Sequence, residues 1–128
     1  MKQKICQKLM FVNLSNHPSV SWSREQLEAA KAYGEVIDLP FPDVSPQMDE
    51  QELSLLADDY LQRVRDISPE PCTIHVMGEL TFSFVMVSRL LAKGYTCVAS
   101  TTKRVAEILP DGSKVSKFSF VRFRNYGT

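Results

Sequence analysis

The usual landmarks of a metal, disulfide or cofactor site are missing from this 128-residue sequence. Its three cysteines, Cys6, Cys72 and Cys97, are odd in number and have neither CxxC nor metal-ligand spacing. The patterns GxGxxG, Walker A and GxSxG are absent. These absences disfavour a dinucleotide cofactor, NTPase chemistry and serine-type acyl hydrolysis. We therefore predict no cofactor and no metal ion, and a reduced cytoplasmic protein with buried thiols.

Long hydrophobic runs are also missing. The longest apolar-rich stretch, 80–92, is interrupted by four polar residues including Arg89, whereas a bilayer span needs about 20 apolar residues. Residues 1–8 are basic and lack the apolar run of a signal peptide. The hydrophobic content of 44% and charged content of 23% are typical of a soluble globular protein. The sequence predicts a single domain over 1–128 and no membrane partner.

A net charge of zero conceals an uneven distribution. Residues 1–71 carry seven basic and twelve acidic side chains, and residues 72–128 carry eight and three. The basic half suits an anionic partner. No predicted helix has a basic face, so we expect no duplex nucleic acid, and a small phosphorylated ligand fits better.

Predicted strands alternate with predicted helices along the chain. Short apolar runs indicate strands at 8–14, 35–39, 72–78 and 95–100. Helical spacing follows each of the first three strands, and Ser23 and Asp49 are typical N-terminal caps for the first two helices. This order predicts an α/β fold with a mostly parallel sheet flanked by helices.

The C-terminal segment predicts an antiparallel hairpin. An Asp-Gly turn within 110–113 separates two strand-like runs. Strict alternation would place Phe123 on one face and Phe118 and Phe120 on the other, together with two arginines. Those arginines line either an interface or an exposed edge strand, and the edge strand is favoured because charges protect such edges from pairing.

Polar residues follow three of the predicted strands, in the loops 13–17, 77–81 and 100–104. Ligands of open α/β sheets bind beyond the carboxyl ends of the strands, so these loops are expected to share one edge. The candidate ligand-binding residues are Asn13, Asn16, Gly78, Glu79, Thr81, Ser100, Thr101, Thr102 and Arg104.

Each candidate also has a simpler interpretation. Gly78 would let a ligand approach the free N–H groups of the next helix, and Glu79 is more simply a helix-dipole partner. Lys103 and Arg104, beside three hydroxyls, have the groups that a phosphodiester needs, or are solvated cations.

The two histidines have different predicted roles. His17 follows the first strand in a polar loop and is the candidate general acid or base, or else a surface histidine without a role. His75 lies within a predicted central strand, and we interpret it as a core histidine with satisfied hydrogen bonds.

Three segments together resemble a known family. They are NLSNHP (13–18), HVMGELTFSFVMVSRLLAKGYTCVASTTKR (75–104) and DGSKVSKFSFVRFRNY (111–126). The sequence is similar to the small stand-alone ring nucleases of type III CRISPR systems, which are related to CARF domains. The resemblance is densest after residue 72.

The resemblance implies a Rossmann-like, CARF-like homodimer that binds a cyclic oligoadenylate, typically the tetra-adenylate, across its two-fold axis. Such proteins linearise the ring and switch off the antiviral response. They need no metal, because a ribose 2′-hydroxyl attacks the adjacent phosphorus and leaves a 2′,3′-cyclic phosphate. By position in the fold, the catalytic serine and lysine correspond to Ser15 and Lys103, and His17 is the remaining catalytic candidate.

Two alternatives stay open at this point. The same pocket could capture the cyclic nucleotide without cutting it, as a sponge or sensor. The chain could also be an unrelated small α/β enzyme that acts on a phosphorylated metabolite.

Overall fold

The computed structural model describes residues 9–127 as one five-stranded sheet with helices on both faces. The strands are β1 (Met10–Ser15), β2 (Glu35–Asp38), β3 (Thr73–Met77), β4 (Thr96–Ile108) and β5 (Lys114–Asn125). The helices are α1 (Arg24–Lys31), α2 (Glu50–Ile67) and α3 (Leu80–Ala92), and a short 3-10 turn covers Ser19–Ser21. The predicted alternation of strands and helices is confirmed.

The strand order is β2-β1-β3-β4-β5. The first four strands are parallel to one another, and β5 is antiparallel to β4 at the edge of the sheet. From β1 the chain moves outward to β2 and then returns to β3 on the other side of β1. This reversal opens a crevice at the carboxyl ends of β1 and β3. The predictions of a mostly parallel sheet and of a C-terminal hairpin on its edge are confirmed.

The two faces of the sheet are covered unequally. Helices α2 and α3 bury the larger core on one face, against Val12, Leu14, Ile74 and Val76. The other face carries a small cluster, Phe11, Ala30, Val98 and Phe123, beneath α1. Helix α1 has eight residues and spans only about 12 Å. It therefore covers one end of its face and leaves the carboxyl ends of the strands accessible.

Local capping explains where the first two helices begin. The Ser23 side chain accepts a hydrogen bond from the Gln26 N–H group. Asp49 and Glu52 form a reciprocal capping box at the start of α2. Both predicted caps are confirmed, although α1 ends at Lys31, three residues before the predicted stop at Gly34.

The prediction of a loop after the fourth strand is wrong. Residues 100–104 lie inside β4, which continues to Ile108 and forms a long two-stranded ribbon with β5. Most of the ribbon beyond Ser100 is exposed on both faces. Hydroxyl and charged side chains are therefore compatible with a strand here, because neither face has to be buried.

The predicted strict alternation along β5 is also wrong. The register pairs Thr101 with Arg122 but Thr102 with Phe120, so Val121 is an extra residue in β5. Such a bulge reverses the side-chain alternation beyond it. It brings Phe120 to the same face as Phe123, and their ring centroids are 4.9 Å apart.

Two of the three cysteines lie in the described part of the chain. Cys72 and Cys97 are buried free thiols, and burial raises the pKa of Cys97 to about 12. The prediction for Cys6 falls outside the described residues. Among residues 9–127 no helix combines the length and apolar character that crossing a bilayer requires.

Candidate functional site

A cleft of about 750 Å³ opens at the carboxyl ends of β1 and β3 and extends along β4 and β5. This volume lies within the range of small-molecule sites, about 300–1,000 Å³. Four segments supply its walls: the β1–α1 loop, the end of β3, the middle of β4 and the facing part of β5. The lining residues are Ser15, Asn16, His17, Ser21, Trp22, Ser23, Gln26, His75, Met77, Gly78, Ser100, Thr102, Lys117, Phe118, Ser119 and Phe120.

Aromatic rings form two sides of the cleft. Trp22 is fixed by a hydrogen bond of 3.1 Å from its Nε1–H to the His17 carbonyl. Its ring meets the His75 imidazole edge-on, with centroids 5.4 Å apart. On β5 Phe118 is 71% exposed, and Phe120 packs on Phe123. Flat apolar surfaces thus face a polar floor.

Asn13 is the centre of that floor and is buried. Its Nδ2 donates to the His17 carbonyl and to Asp38 Oδ1, both at 2.9 Å. Its Oδ1 accepts from Ser15 Oγ at 2.7 Å and lies 2.9 Å from His75 Nδ1. One amide therefore joins β1, β2, β3 and the loop that follows β1.

His75 extends this network toward the cleft. Its Nε2 lies 3.3 Å from Ser100 Oγ, and the residue is only 2% exposed. Burial, with a smaller contribution from the nearby His17, lowers the pKa of His75 to about 4. His75 is therefore the core histidine with satisfied hydrogen bonds that the sequence predicted, and it also lines the cleft.

The loop after β1 is held by its own side chains. Ser15 Oγ accepts from the His17 N–H at 3.2 Å while donating to Asn13 Oδ1, an arrangement that turns the chain. The His17 carbonyl then faces inward toward Asn13 and Trp22. The His17 side chain is on the exposed side and lines the cleft.

The cleft collects many of the residues selected from the sequence. Six of them line it: Ser15, Asn16, His17, Gly78, Ser100 and Thr102. Asn13 lies beneath them as the hub of the floor. The expected convergence of the first and third strand ends is thus observed, and β4 contributes from within the strand.

Three other selected residues lie on the ribbon outside the cleft lining. Side chains alternate along β4, so Thr101 and Lys103 face away from Ser100 and Thr102. Thr101 Oγ1 donates to the Arg122 carbonyl at 3.0 Å. Arg104 lies further along and donates to Ser116 Oγ from Nε and Nη2. The catalytic role of Lys103 stays a prediction.

Glu79 and Thr81 belong to a different hollow. Both line a depression of about 320 Å³ beside the start of α2. Glu79 is the N-cap of α3, accepting from the Phe82 N–H at 2.7 Å. The hydroxyl of Thr81 and that N–H lower the pKa of Glu79. The interpretation of Glu79 as a partner of the helix terminus is confirmed, and both side chains lie outside the cleft.

The structure explains the glycine at position 78 differently from the sequence prediction. A Cβ atom added at this position would overlap the ring of Phe41. That ring packs on Phe82, with centroids 5.2 Å apart. The space beside Gly78 thus admits an aromatic side chain of the protein itself, where the sequence suggested the approach of a ligand.

Ten lining residues were not selected from the sequence as site residues, among them Trp22, His75, Lys117, Phe118 and Phe120. The lone tryptophan in a polar loop was the one local signal available. The aromatic positions of β5 face the cleft only because of the bulge at Val121. Lys117 also borders the cleft, but its Nζ lies 3.7 Å from Glu107 Oε2 on the face of the ribbon that carries Lys103.

Within residues 9–127 no three histidine, cysteine or acidic side chains are grouped closely enough to hold a metal ion. The groups that the cleft offers are hydroxyls, amides, two imidazoles and aromatic faces. Such groups can bind a flat heterocycle, a sugar hydroxyl and a phosphodiester.

A comparison with protein-family models finds one match, over residues 9–124, described as the Uncharacterized protein MJ1673 family. The chain belongs to this family. The matched range contains all of the helices and every strand except the last residue of β5. The family match therefore covers the sheet and all the walls of the cleft. No curated protein and no solved structure matches the chain.

Proposed function

We propose that this chain is a CARF-like ring nuclease that binds a cyclic oligoadenylate in the cleft and linearises it without a metal ion. The observation that carries the proposal is the pairing of aromatic walls with a polar floor at the carboxyl edge of the sheet. Nucleobases stack on aromatic side chains, at about 1–3 kcal/mol per base. The floor supplies hydroxyls and an imidazole for the ribose and the phosphodiester.

The cleft residues suit distinct parts of such a ligand. Trp22 and Phe118 offer faces for adenine. Ser100 and Thr102 supply hydroxyls on the same face of β4. Asn16 is exposed at the rim and is suited to an adenine edge.

The identity of the ligand rests on the family resemblance of the three sequence segments. All three segments, 13–18, 75–104 and 111–126, contribute directly to the cleft. A parallel β2-β1-β3-β4 order with its reversal at β1 and β3 supports a Rossmann-like arrangement. By the same resemblance Ser15 and Lys103 are proposed catalytic residues, although Lys103 lies on the face of β4 that turns away from Ser100 and Thr102.

The size of the ligand supports a dimer. A ring of four nucleotides is larger than the ligands that clefts of this volume enclose, so one chain would contact half of it. Helix α3 has an exposed apolar stripe of Leu80, Phe84 and Leu91, with exposed fractions of 83%, 75% and 44%. The stripe begins two residues after Gly78, at the cleft margin. A second copy packed on this stripe would bury these apolar side chains in a two-fold interface.

The test of the proposed function is incubation with cyclic tetra-adenylate in EDTA, followed by chromatography and mass spectrometry. We expect linear products that end in a 2′,3′-cyclic phosphate. Cyclic di-adenylate is the control ligand, because it presents the same base on a smaller ring. Tight binding with an unchanged ring would leave the sponge or sensor alternative, and failure to bind would contradict the proposal.

The dimer surface makes a second prediction. Phe84→Glu places a charge in the middle of the apolar stripe on α3, so we expect a monomer by light scattering and a large loss of affinity for cyclic tetra-adenylate. Leu55→Glu on α2 is the matched control, since Leu55 is 67% exposed. A variant at Phe84 that keeps both the mass and the affinity of the native protein would place the interface elsewhere.

A further inference from the structure

A row of hydrogen-bonded side chains crosses four strands at the floor of the cleft. Asp38 on β2 contacts Asn13 on β1, and Asn13 contacts His75 on β3. His75 contacts Ser100 on β4. The strand register aligns them, because Asn13 is paired with both Asp38 and His75. Val98, two residues before Ser100, is the partner of His75.

The row fixes the tautomer of the His75 ring. Asn13 Nδ2 faces a carbonyl and a carboxylate, and both can only accept hydrogen bonds. Asn13 Oδ1 therefore faces His75, so Nδ1 of the ring must carry the hydrogen. In the neutral ring Nε2 then presents a lone pair to Ser100 Oγ. Met77 Sδ, 2.9 Å from the same hydroxyl, is the weaker acceptor.

The surroundings keep this ring neutral while the cleft is empty. The rings of Phe11, Trp22 and Phe123 pack around His75. The charged and titratable groups nearby are His17 on the loop after β1 and the Asp38 carboxylate held on Asn13. A bound phosphodiester adds negative charge, which favours the imidazolium and makes the ring a stronger base.

We propose that Ser100 and His75 together accept the proton during catalysis, Ser100 from the ligand and His75 from Ser100. Asn13 and Asp38 are positioning residues that orient the His75 ring. The inference rests on the proposed function, and it assigns to His75 the role that the sequence suggested for His17. A hydroxyl nucleophile is generally activated by an adjacent base, which a third group holds in orientation. The proposed site has these three parts. Here the hydroxyl that becomes the nucleophile belongs to the ribose.

The step is balanced without an external reactant. The ribose 2′-hydroxyl donates its proton to Ser100 Oγ as the Ser100 proton moves to His75 Nε2. The O2′–P bond forms while the P–O5′ bond breaks. The leaving 5′-oxygen takes a proton from water, and His75 later releases its proton to solvent. The products are a 2′,3′-cyclic phosphate and a 5′-hydroxyl, and Ser100 is regenerated.

The first experiment compares cleavage and binding of cyclic tetra-adenylate by His75→Gln, with His17→Gln as the matched change at the other histidine. Loss of a general base lowers a rate by about 10²–10⁴-fold, so we expect that loss for His75→Gln with a nearly unchanged dissociation constant. We expect a smaller loss for His17→Gln. Ser100→Ala should lose cleavage and Ser100→Thr should regain it, because threonine restores the hydroxyl.

The second measurement does not depend on the ligand. The chain has two histidines, so in His17→Gln all imidazole ¹⁵N signals of the native sequence come from His75. We expect the Nδ1–H tautomer. Asp38→Asn removes one of the two acceptor-only groups that orient the Asn13 amide and leaves the His17 carbonyl, so we expect a larger share of the other tautomer.

The outcomes separate the two proposals. Normal cleavage by His75→Gln, an Nε2–H tautomer, or a phosphorylated Ser100 with a 3′-phosphate product would overturn the relay while the ring nuclease stands. A native protein that has the Nδ1–H tautomer and leaves the ring intact would overturn the proposed function, and the catalytic role of His75 with it.

Discussion

Replacing Asn13 by alanine is expected to lower the free energy of unfolding by at least about 3 kcal/mol, because each buried partner left unsatisfied costs about 1–3 kcal/mol. Asn13 serves the His75 ring, the Ser15 hydroxyl, the His17 carbonyl and the Asp38 carboxylate. Its removal leaves His75 Nδ1 without its acceptor at a position that is 2% exposed. In a domain with a total stability of about 5–15 kcal/mol, this is a large fraction.

The measurement is urea unfolding of Asn13→Ala beside Asn16→Ala. Asn16 is exposed in the following loop, so its removal should change stability by less than about 0.5 kcal/mol. The melting temperature of Asn13→Ala should fall by roughly 10 °C, at about 4 °C per kcal/mol for a domain of this size. Equal effects of the two substitutions would show that the network around Asn13 does not stabilise the fold.

Local sequence was sufficient for the elements whose causes are local. The caps of α1 and α2 depend on residues three apart, Ser23 with Gln26 and Asp49 with Glu52. The strand positions follow from short apolar runs, and the hairpin from its Asp-Gly turn. The carboxyl-edge rule then correctly brought Asn13, Ser15 and Gly78 to one end of the sheet.

The chemistry of the floor could not be predicted in the same way. His75 contacts a residue 62 positions earlier and another 25 positions later. Those pairs exist because of strand register, which a local pattern does not encode. An isolated histidine in a buried strand is more simply explained as core, and here it is both a core residue and part of the cleft lining.

The fourth strand shows a different limit. Ser100 to Arg104 have the composition of a polar loop, yet the segment lacks the glycine or proline that usually ends a strand. The absence of glycine and proline was the better indicator of structure than the polar composition, because β4 continues through this segment to Ile108. The bulge at Val121 has no comparable signal, since it contains neither glycine nor proline. It nevertheless decides that Phe118 and Phe120 face the cleft.

Burial of His75 has a consequence for stability as well as for catalysis. The folded protein holds this ring neutral down to a pKa of about 4, whereas the unfolded chain protonates it near the ordinary value of about 6.5. Between these values the unfolded state binds the extra proton, so acidification favours unfolding. The loss begins as the pH falls through about 6.5 and is complete below about 4.

Lowering the pH through this window is therefore expected to reduce the free energy of unfolding by up to roughly 3 kcal/mol, since each pKa unit corresponds to about 1.4 kcal/mol. Urea unfolding of the native protein and of His75→Gln over the same pH series measures it. Glu79 and Asp111 also have lowered pKa values, and they contribute equally to both proteins. The difference between the two curves thus isolates His75. His17→Gln should retain most of the native slope, because burial is the larger cause of the lowered pKa of His75 and His17 the smaller one. If the native and His75→Gln curves run parallel, the ring is not held neutral, and an NMR titration of His75 would show protonation near the ordinary value.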